Sequence, residues 1–321
     1  MTKKVFKLDL CGKEIIVENG ELAKQANGSV LVRYGDTVVI TASVMGKKPI
    51  TQDFFPLTVL YQEKLYSVGK IPGGFIKREG RPTDQATLTA RLIDRPIRPM
   101  FSENFRNEVQ VINTVLSVDP DNSPEMTAML GSSLALGISD IPFDGPIAGV
   151  VVGKIGKDYI INPDTKQMLE TELTVTVAGT KEAICMVEAG AKQVSEKDML
   201  GAIMFGHEQI KKLCEFQEKI IKEIGKEKVT VDLANLDPEI DKLVREYASK
   251  DMLKAFDVKG KLAQYDAIAS VKERAIGYFA GIYASDENID TKLATVSKVL
   301  DQLEGETVRH LITDKKIRPD G

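Results

Sequence analysis

Residues 69–100 read GKIPGGFIKREGRPTDQATLTARLIDRPIRPM, a loop rich in glycine and proline followed by a short helical pattern. The pattern predicts a helix from Asp84 to Asp94 that ends before Pro96, because a proline removes a backbone donor. Basic side chains outnumber acidic ones in this stretch, although the whole chain has a formal net charge of −4. A local cationic run of this kind fits either a solvated face or a site for phosphate groups.

Three features of the loop favour a binding site. Gly73 and Gly74 allow the backbone to come close to a ligand. Phe75 places a ring beside the cations, as in sites where a base stacks and the phosphates meet positive charge. Over the whole stretch arginine outnumbers lysine, five to two, and its planar guanidinium suits phosphate oxygens. A Walker loop is excluded, because Phe75 and Ile76 stand where that motif requires lysine and serine or threonine.

Residues 71–99 closely resemble the first RNase PH-type domain of the bacterial polynucleotide phosphorylase family. Other motifs continue the resemblance in order: QDFFPLTVLYQEK from Gln52, IPFDGPIAG from Ile141, MVEAGAKQVSE from Met186 and GAIMFGHEQI from Gly201. The resemblance covers essentially the whole chain, and it implies that IRPDG, from Ile317, opens a second RNase PH-type domain. The chain therefore resembles an N-terminal part of such a protein.

The composition is typical of a globular protein with room for two domains. The chain has 321 residues, of which 43% are hydrophobic and 28% are charged. Cys11, Cys185 and Cys214 lack CxxC spacing, so we expect neither disulfides nor zinc, and the expected localisation is cytoplasmic. No apolar run approaches the length of a membrane span, so no membrane partner is expected. A pI near 5.5 indicates that RNA contact is confined to a local patch.

The order of the elements predicts an α/β (α+β) first domain over residues 1–225, in which helices cover a mixed sheet. Hairpins are predicted around Cys11–Gly12 and Gly35–Asp36, and the strongest strand pattern covers Val109–Val118. The resemblance implies that this sheet is RNase PH-like. His207 lies on the apolar seam of a predicted helix that ends near Ile224, which favours a satisfied core histidine over a catalytic one.

Residues 238–311 lose strand character and predict a small all-helical domain. The apolar spacing i, i+3, i+4, i+7 begins at Ile240, and further helical patterns start at Leu262 and Leu293. From the residues alone we favour a structural spacer for this domain. Residues 312–321 are predicted to be a linker into a second RNase PH-type domain.

The resemblance implies a phosphate-dependent 3′-to-5′ exoribonuclease that uses Mg²⁺ and inorganic phosphate, both bound in that second domain. The equivalent positions in this copy lack the chemistry. Pro124 and Glu125 replace a run of serines. Proline has no backbone N–H to donate to a phosphate, and the carboxylate of glutamate repels it. Lys166 and Glu172 stand at the positions of the two metal-binding aspartates, so one carboxylate has become a cation. We therefore predict no catalytic residue and no metal ligand in this chain.

The resemblance also implies that the loop grips single-stranded RNA in the channel of a ring-shaped homotrimer. The family pattern has two aromatic residues followed by two arginines, whereas this chain has Phe75, Ile76, Lys77 and Arg78. The predicted RNA-binding residues are Phe75, Lys77, Arg78 and Arg81. Loss of the second ring should forfeit stacking worth about 1–3 kcal/mol per base.

Three further arginines, Arg91, Arg95 and Arg98, are weaker candidates for RNA or phosphate contact. Their spacing fits ion pairs with Asp94 or with a neighbouring subunit equally well.

Three hypotheses follow from the sequence. The first is the N-terminal half of a phosphorolytic exoribonuclease, and the second is a non-catalytic RNA-binding or assembly subunit of a ring. The third, a single-domain tRNA-trimming phosphorolytic enzyme, is disfavoured by Lys166 and Pro124. The helical domain and the terminal IRPDG favour the first, and the sequence does not identify RNA-degradation partner proteins.

Overall fold

The computed structural model describes residues 2–50, 52, 54–75, 77–231, 233 and 236–320. The chain divides into two compact units, Met1–Leu233 and Ala234–Gly321.

The first unit contains a six-stranded sheet in the order β1-β2-β3-β4-β6-β5. Its strands are β1 Lys4–Leu10, β2 Lys13–Asn19, β3 Gly28–Tyr34, β4 Thr37–Pro49, β5 Leu57–Glu63 and β6 Asn107–Ser117. Every neighbouring pair is antiparallel except β5 and β6, which run parallel. A parallel pair needs a long crossover connection. The cationic stretch, residues 69–100, lies in this crossover.

A second, four-stranded antiparallel sheet has the order β10-β9-β7-β8. Its strands are β7 Ala148–Ile155, β8 Asp158–Ile161, β9 Leu173–Gly179 and β10 Ile184–Ala191. The helices of this unit are α1 Asp84–Ile97, α2 Pro124–Ile138, α3 Thr165–Glu170 and α4 Glu196–Ile224. The predicted α/β class, with mixed strands covered by helices, is confirmed.

Helix α2 is the centre of the first unit, because it packs against β3, β4, β7 and α4. It is buried on all sides from Met126 to Ile138, as expected for a helix without a polar face. Gly131 is needed for this packing, since a Cβ there would lie 2.5 Å from Thr41 Oγ1. His207 of α4 is also buried, and its Nε2 lies 3.1 Å from the Thr180 carbonyl oxygen, as predicted for a core histidine.

The predicted end of α1 at Asp94 is wrong, because the helix continues through Pro96 to Ile97. The N–H of Arg98 donates to the Asp94 carbonyl oxygen, so helical geometry survives the proline in the last turn. Thr83 begins the helix by accepting a hydrogen bond from the Ala86 N–H at 3.1 Å.

The second unit consists of α5 Pro238–Ala255, α6 Lys261–Ile282 and α7 Ile289–Thr313, which confirms the predicted helical domain. Val244, Phe279 and Leu300, one from each helix, are at most 1% exposed in its core. Within the described ranges of the chain, no helix has both the length and the apolar character that crossing a bilayer requires.

Candidate nucleic-acid interface

The loop of the cationic stretch is hydrogen-bonded to the segment that directly follows β5. The N–H of Leu65, just after β5, donates to a Glu79 carboxylate oxygen at 3.0 Å. A tight turn follows Gly74, whose carbonyl oxygen accepts from the Lys77 N–H at 3.1 Å. A Cβ at Gly73 or Gly74 would meet nothing within 4 Å. Packing therefore does not require these two glycines, and the backbone beside them is open to a ligand.

The side chains predicted to bind RNA all project from this loop into solvent. Phe75 is fully exposed, at 103% of its reference area. Its ring therefore contributes no buried apolar surface to the stability of the fold. The side chains of Lys77, Arg78 and Arg81 are exposed and make no hydrogen bond or ion pair with any residue that the structure describes. Ile76, the other position of the family's aromatic pair, lies outside the described residues. These four residues thus present three cations and one ring whose side chains have no intramolecular partner in the described chain.

The three arginines of α1 and its end differ in their partners. The Arg98 guanidinium pairs with the Asp94 carboxylate at 2.9 Å and also donates to the carbonyl oxygens of Phe55 and Leu57. Arg95 pairs with Glu188 of β10 at 2.8 Å. Arg91 is exposed and has no such partner among the described residues.

A cleft of about 510 Å³ lies beside α1, between the β6–α2 connection, the start of α3, and strands β9 and β10. None of the described residues that line it is basic, and four are acidic: Asp119, Asp121, Glu125 and Glu188. The backbone N–H of Asp121, followed by the side-chain amide of Asn122, lowers the pKa of Asp119, so this carboxylate is ionised at neutral pH. A phosphate entering the cleft would meet negative charge.

The cleft contains Ser123, Pro124 and Glu125, the segment that the family resemblance predicts to correspond to the phosphate site of a catalytic copy. Ser123 caps α2, and Pro124 takes the first helical position, where its missing N–H is tolerated. The Ser123 hydroxyl donates to the Glu125 carboxylate. A carboxylate thus occupies the helix N-terminus that would otherwise attract an anion.

Of the two positions predicted for a metal pair, Lys166 carries a positive charge in the first turn of α3. Asp164 caps α3 by accepting from the N–H groups of Lys166 and Gln167 at 2.9 and 2.8 Å, and Gln167 Oε1 accepts from the Asp164 N–H at 2.9 Å. Glu172 lies beyond this helix and is exposed. Sequence analysis missed α3, although aspartate followed three residues later by glutamine is a capping-box pattern. In the described parts of the chain, no group of three or more His, Cys, Asp or Glu side chains is arranged to hold a metal.

Comparison with known proteins identifies the family of the chain. Models of the 3′ exoribonuclease family match residues 12–142 as its domain 1 and residues 145–209 as its domain 2. The chain belongs to the 3′ exoribonuclease family. A further model, described as the RNA-binding domain of polyribonucleotide nucleotidyltransferase, matches residues 239–321. This match argues against a pure spacer role for the helical unit.

Individual relatives of the chain carry a more specific name than the family does. The chain is 57% identical over 320 residues to polyribonucleotide nucleotidyltransferase of Bacillus cytotoxicus, and 57% identical over 319 residues to that of Bacillus anthracis. Both alignments cover 99% of this chain but 44% of the relative, so the chain spans less than half of their length. Rice (Oryza sativa) Rrp46 has a similar fold, with a TM-score of 0.51, 16% identity, and coverage of 68% of this chain and 94% of that one. The predicted family resemblance is confirmed.

Proposed function

We propose that this chain is the N-terminal part of a phosphate-dependent 3′-to-5′ exoribonuclease, and that it binds RNA without performing the chemistry. The observation that carries the proposal is the contrast between the loop and the cleft. Among the described residues, the loop presents basic side chains without partners around an exposed ring, whereas carboxylates line the cleft. The 57% identity to polyribonucleotide nucleotidyltransferases supports the activity of the longer protein.

The loop is suited to single-stranded RNA of any sequence. Lys77, Arg78 and Arg81 would neutralise backbone phosphates and release counterions. Phe75 would stack on a base, and every base has a ring face to offer. Neither contact reads a base edge, so the loop gives affinity without sequence preference.

The cleft does not fit the phosphorolytic reaction. Attack of inorganic phosphate on a phosphodiester brings two anions together, which requires positive groups or a metal ion to offset their repulsion. The cleft offers Asp119, Asp121 and Glu125 instead, and Asp164 is used to cap α3. We therefore assign Mg²⁺ and phosphate to a second RNase PH-type domain of the longer protein and derive no catalytic step in this one.

The organisation we propose has three parts: residues 1–225 as the first RNase PH-type domain, residues 238–311 as the helical domain, and residues 312–321 as a linker. The longer protein would act in the cytoplasm as a homotrimer in mRNA degradation. Analytical ultracentrifugation of that protein tests the trimer.

The decisive experiment incubates this chain with poly(A), phosphate and Mg²⁺ and measures ADP release. We expect none, and we expect release by the longer protein under the same conditions. Robust release by this chain, abolished by Asp164→Asn or Glu172→Gln, would show that the first copy is itself an enzyme.

The second candidate is a non-catalytic RNA-binding or assembly subunit of a ring, which the acidic cleft also fits. The two candidates differ in what the gene encodes after Gly321. A second sheet domain with paired aspartates supports the enzyme, and a stop codon supports the subunit.

A further inference from the structure

The helical unit carries a stacked pair of half-exposed aromatic rings. Tyr247 of α5 and Tyr278 of α6 have ring centroids 4.4 Å apart and planes 12° apart, and they are 43% and 51% exposed. Phe279, which is 1% exposed, contacts both rings edge-on at 5.8 and 5.3 Å. The pair is therefore held in place by the core of the unit while much of its surface remains in solvent.

Apolar side chains extend this pair along both helices. Leu243 precedes Tyr247 by one turn of α5, and Ile282 follows Tyr278 by one turn of α6; both are exposed. We call these four residues the tyrosine patch. Contiguous exposed apolar surface of this kind marks an interaction site more often than isolated exposed residues do.

The surface of α6 beside Tyr278 has two positions without a side chain. Gly277 and Gly281 lie inside α6 and are exposed, and a Cβ at either would meet nothing within 4 Å. Glycine inside a helix costs about 1 kcal/mol relative to alanine, and packing in this unit does not require it here. The bare backbone lets a bulky ligand come close to the ring of Tyr278.

The charges around the patch favour an anionic ligand. Lys250, one turn beyond Tyr247, is exposed and has no ion-pair partner in the part of the unit that the structure describes. Lys254 and Arg274 share the single carboxylate of Asp251, at 3.6 and 3.3 Å. These four side chains together carry three positive charges and one negative charge. Aromatic rings beside cations suit nucleic acid better than an apolar protein helix.

We propose that the tyrosine patch binds single-stranded RNA, with a base stacked on the Tyr247–Tyr278 pair and phosphates beside Lys250 and Arg274. This inference rests on the RNA binding proposed above and names a second contact surface for it, separate from the loop around Phe75. The match of residues 239–321 to a model described as an RNA-binding domain supports it.

The test uses the full 321-residue chain and a fluorescein-labelled oligoadenylate, with affinity measured by anisotropy. Tyr278→Ala should weaken binding about ten-fold, whereas Tyr278→Phe, which keeps the ring, should not. Gly281→Gln fills the bare surface and should also weaken binding without lowering the melting temperature. Gly305→Gln is the matched control, because Gly305 is an exposed glycine inside α7 that likewise has nothing within 4 Å of its Cβ position.

Photo-crosslinking separates the outcomes. Thiouridine-containing oligouridylate should label the peptides that contain Tyr247 or Tyr278. A chain that binds no RNA at all overturns the proposed function itself. Binding that labels only the loop peptide, and that Tyr278→Ala and Gly281→Gln leave unchanged, overturns this inference alone. This inference is also overturned if these variants change only self-association, because the patch would then be a protein interface.

Discussion

The guanidinium of Arg98 spans the carboxylate of Asp94, with Nη2 2.9 Å from both carboxylate oxygens and Nε 3.2 Å from Oδ2. The same guanidinium donates to the carbonyl oxygens of Phe55 and Leu57 at 3.1 and 3.2 Å and lies over the Phe55 ring. These contacts join the end of α1 to the start of β5. Arg98 therefore fixes the crossover that carries the loop, and we assign it a structural role.

Arg98→Ala should lower the free energy of unfolding by about 1–3 kcal/mol, because two carbonyl oxygens and a carboxylate lose a charged donor. Urea denaturation of the chain measures the change. Arg91→Ala is the control, since Arg91 is exposed on the same helix, and it should stay within about 0.5 kcal/mol of the parent. Equal stability of the two variants would contradict the structural role.

The same contact shows what the sequence can and cannot predict. The i, i+4 spacing of Asp94 and Arg98 was visible in the sequence, but the carbonyl groups of Phe55 and Leu57 are more than forty residues away and become partners only in the folded chain. Turns were predictable because they depend on local backbone chemistry. Gly12, for example, has φ +86 at the tip of the first predicted hairpin.

Short and long-range features were harder to predict. Helix α3 has six residues, too few to show a helical period, so only its capping residues could have revealed it. The loop residues from Phe75 to Arg81 were predicted from composition and from the family resemblance. The stacking of Tyr247 on Tyr278 joins two helices, so no periodicity within either helix predicts it. The acidic cleft likewise combines residues from several elements.

Lys228 should stabilise the first unit. Its Nζ donates to the carbonyl oxygens of Leu136, Gly137 and Ser139 at 2.8, 2.9 and 2.7 Å. These carbonyl groups lie at the C-terminal end of α2, where a cation and a hydrogen-bond donor are both favourable.

Replacing Lys228 by methionine should therefore destabilise the chain by about 2 kcal/mol, measured as a loss of free energy in urea denaturation. Lys222→Met removes an exposed lysine of α4 and serves as the matched control. A change no larger than that of the control would mean that water replaces the three hydrogen bonds.

The three cysteines should differ in reactivity, because the thiolate is the species that reacts. Burial raises the pKa of Cys214 to about 12, and it also raises the pKa of Cys185. At pH 8 only about one Cys214 thiol in ten thousand is ionised, and its side chain is buried. Iodoacetamide labelling followed by mass spectrometry should modify exposed Cys11 first, then Cys185, and Cys214 only in denaturant.

Raising the pH should accelerate the labelling of Cys185, because more of its thiol is ionised as the pH approaches its raised pKa. A Cys11→Ser variant should lose the fastest phase. Labelling of Cys214 at the rate of Cys11 in the native chain would contradict the burial of this thiol.

The loop makes the strongest prediction about RNA. Replacing Lys77, Arg78 and Arg81 together by alanine should weaken binding of single-stranded RNA and flatten its salt dependence, because three fewer cations release counterions. The slope of log affinity against log salt should fall in magnitude by about 2, at roughly 0.7 per phosphate contact on a single strand. A triple variant of the exposed lysines Lys24, Lys157 and Lys192 removes the same charge elsewhere on the unit. If both variants change affinity and slope equally, binding reflects net charge alone, and the loop is not the contact site.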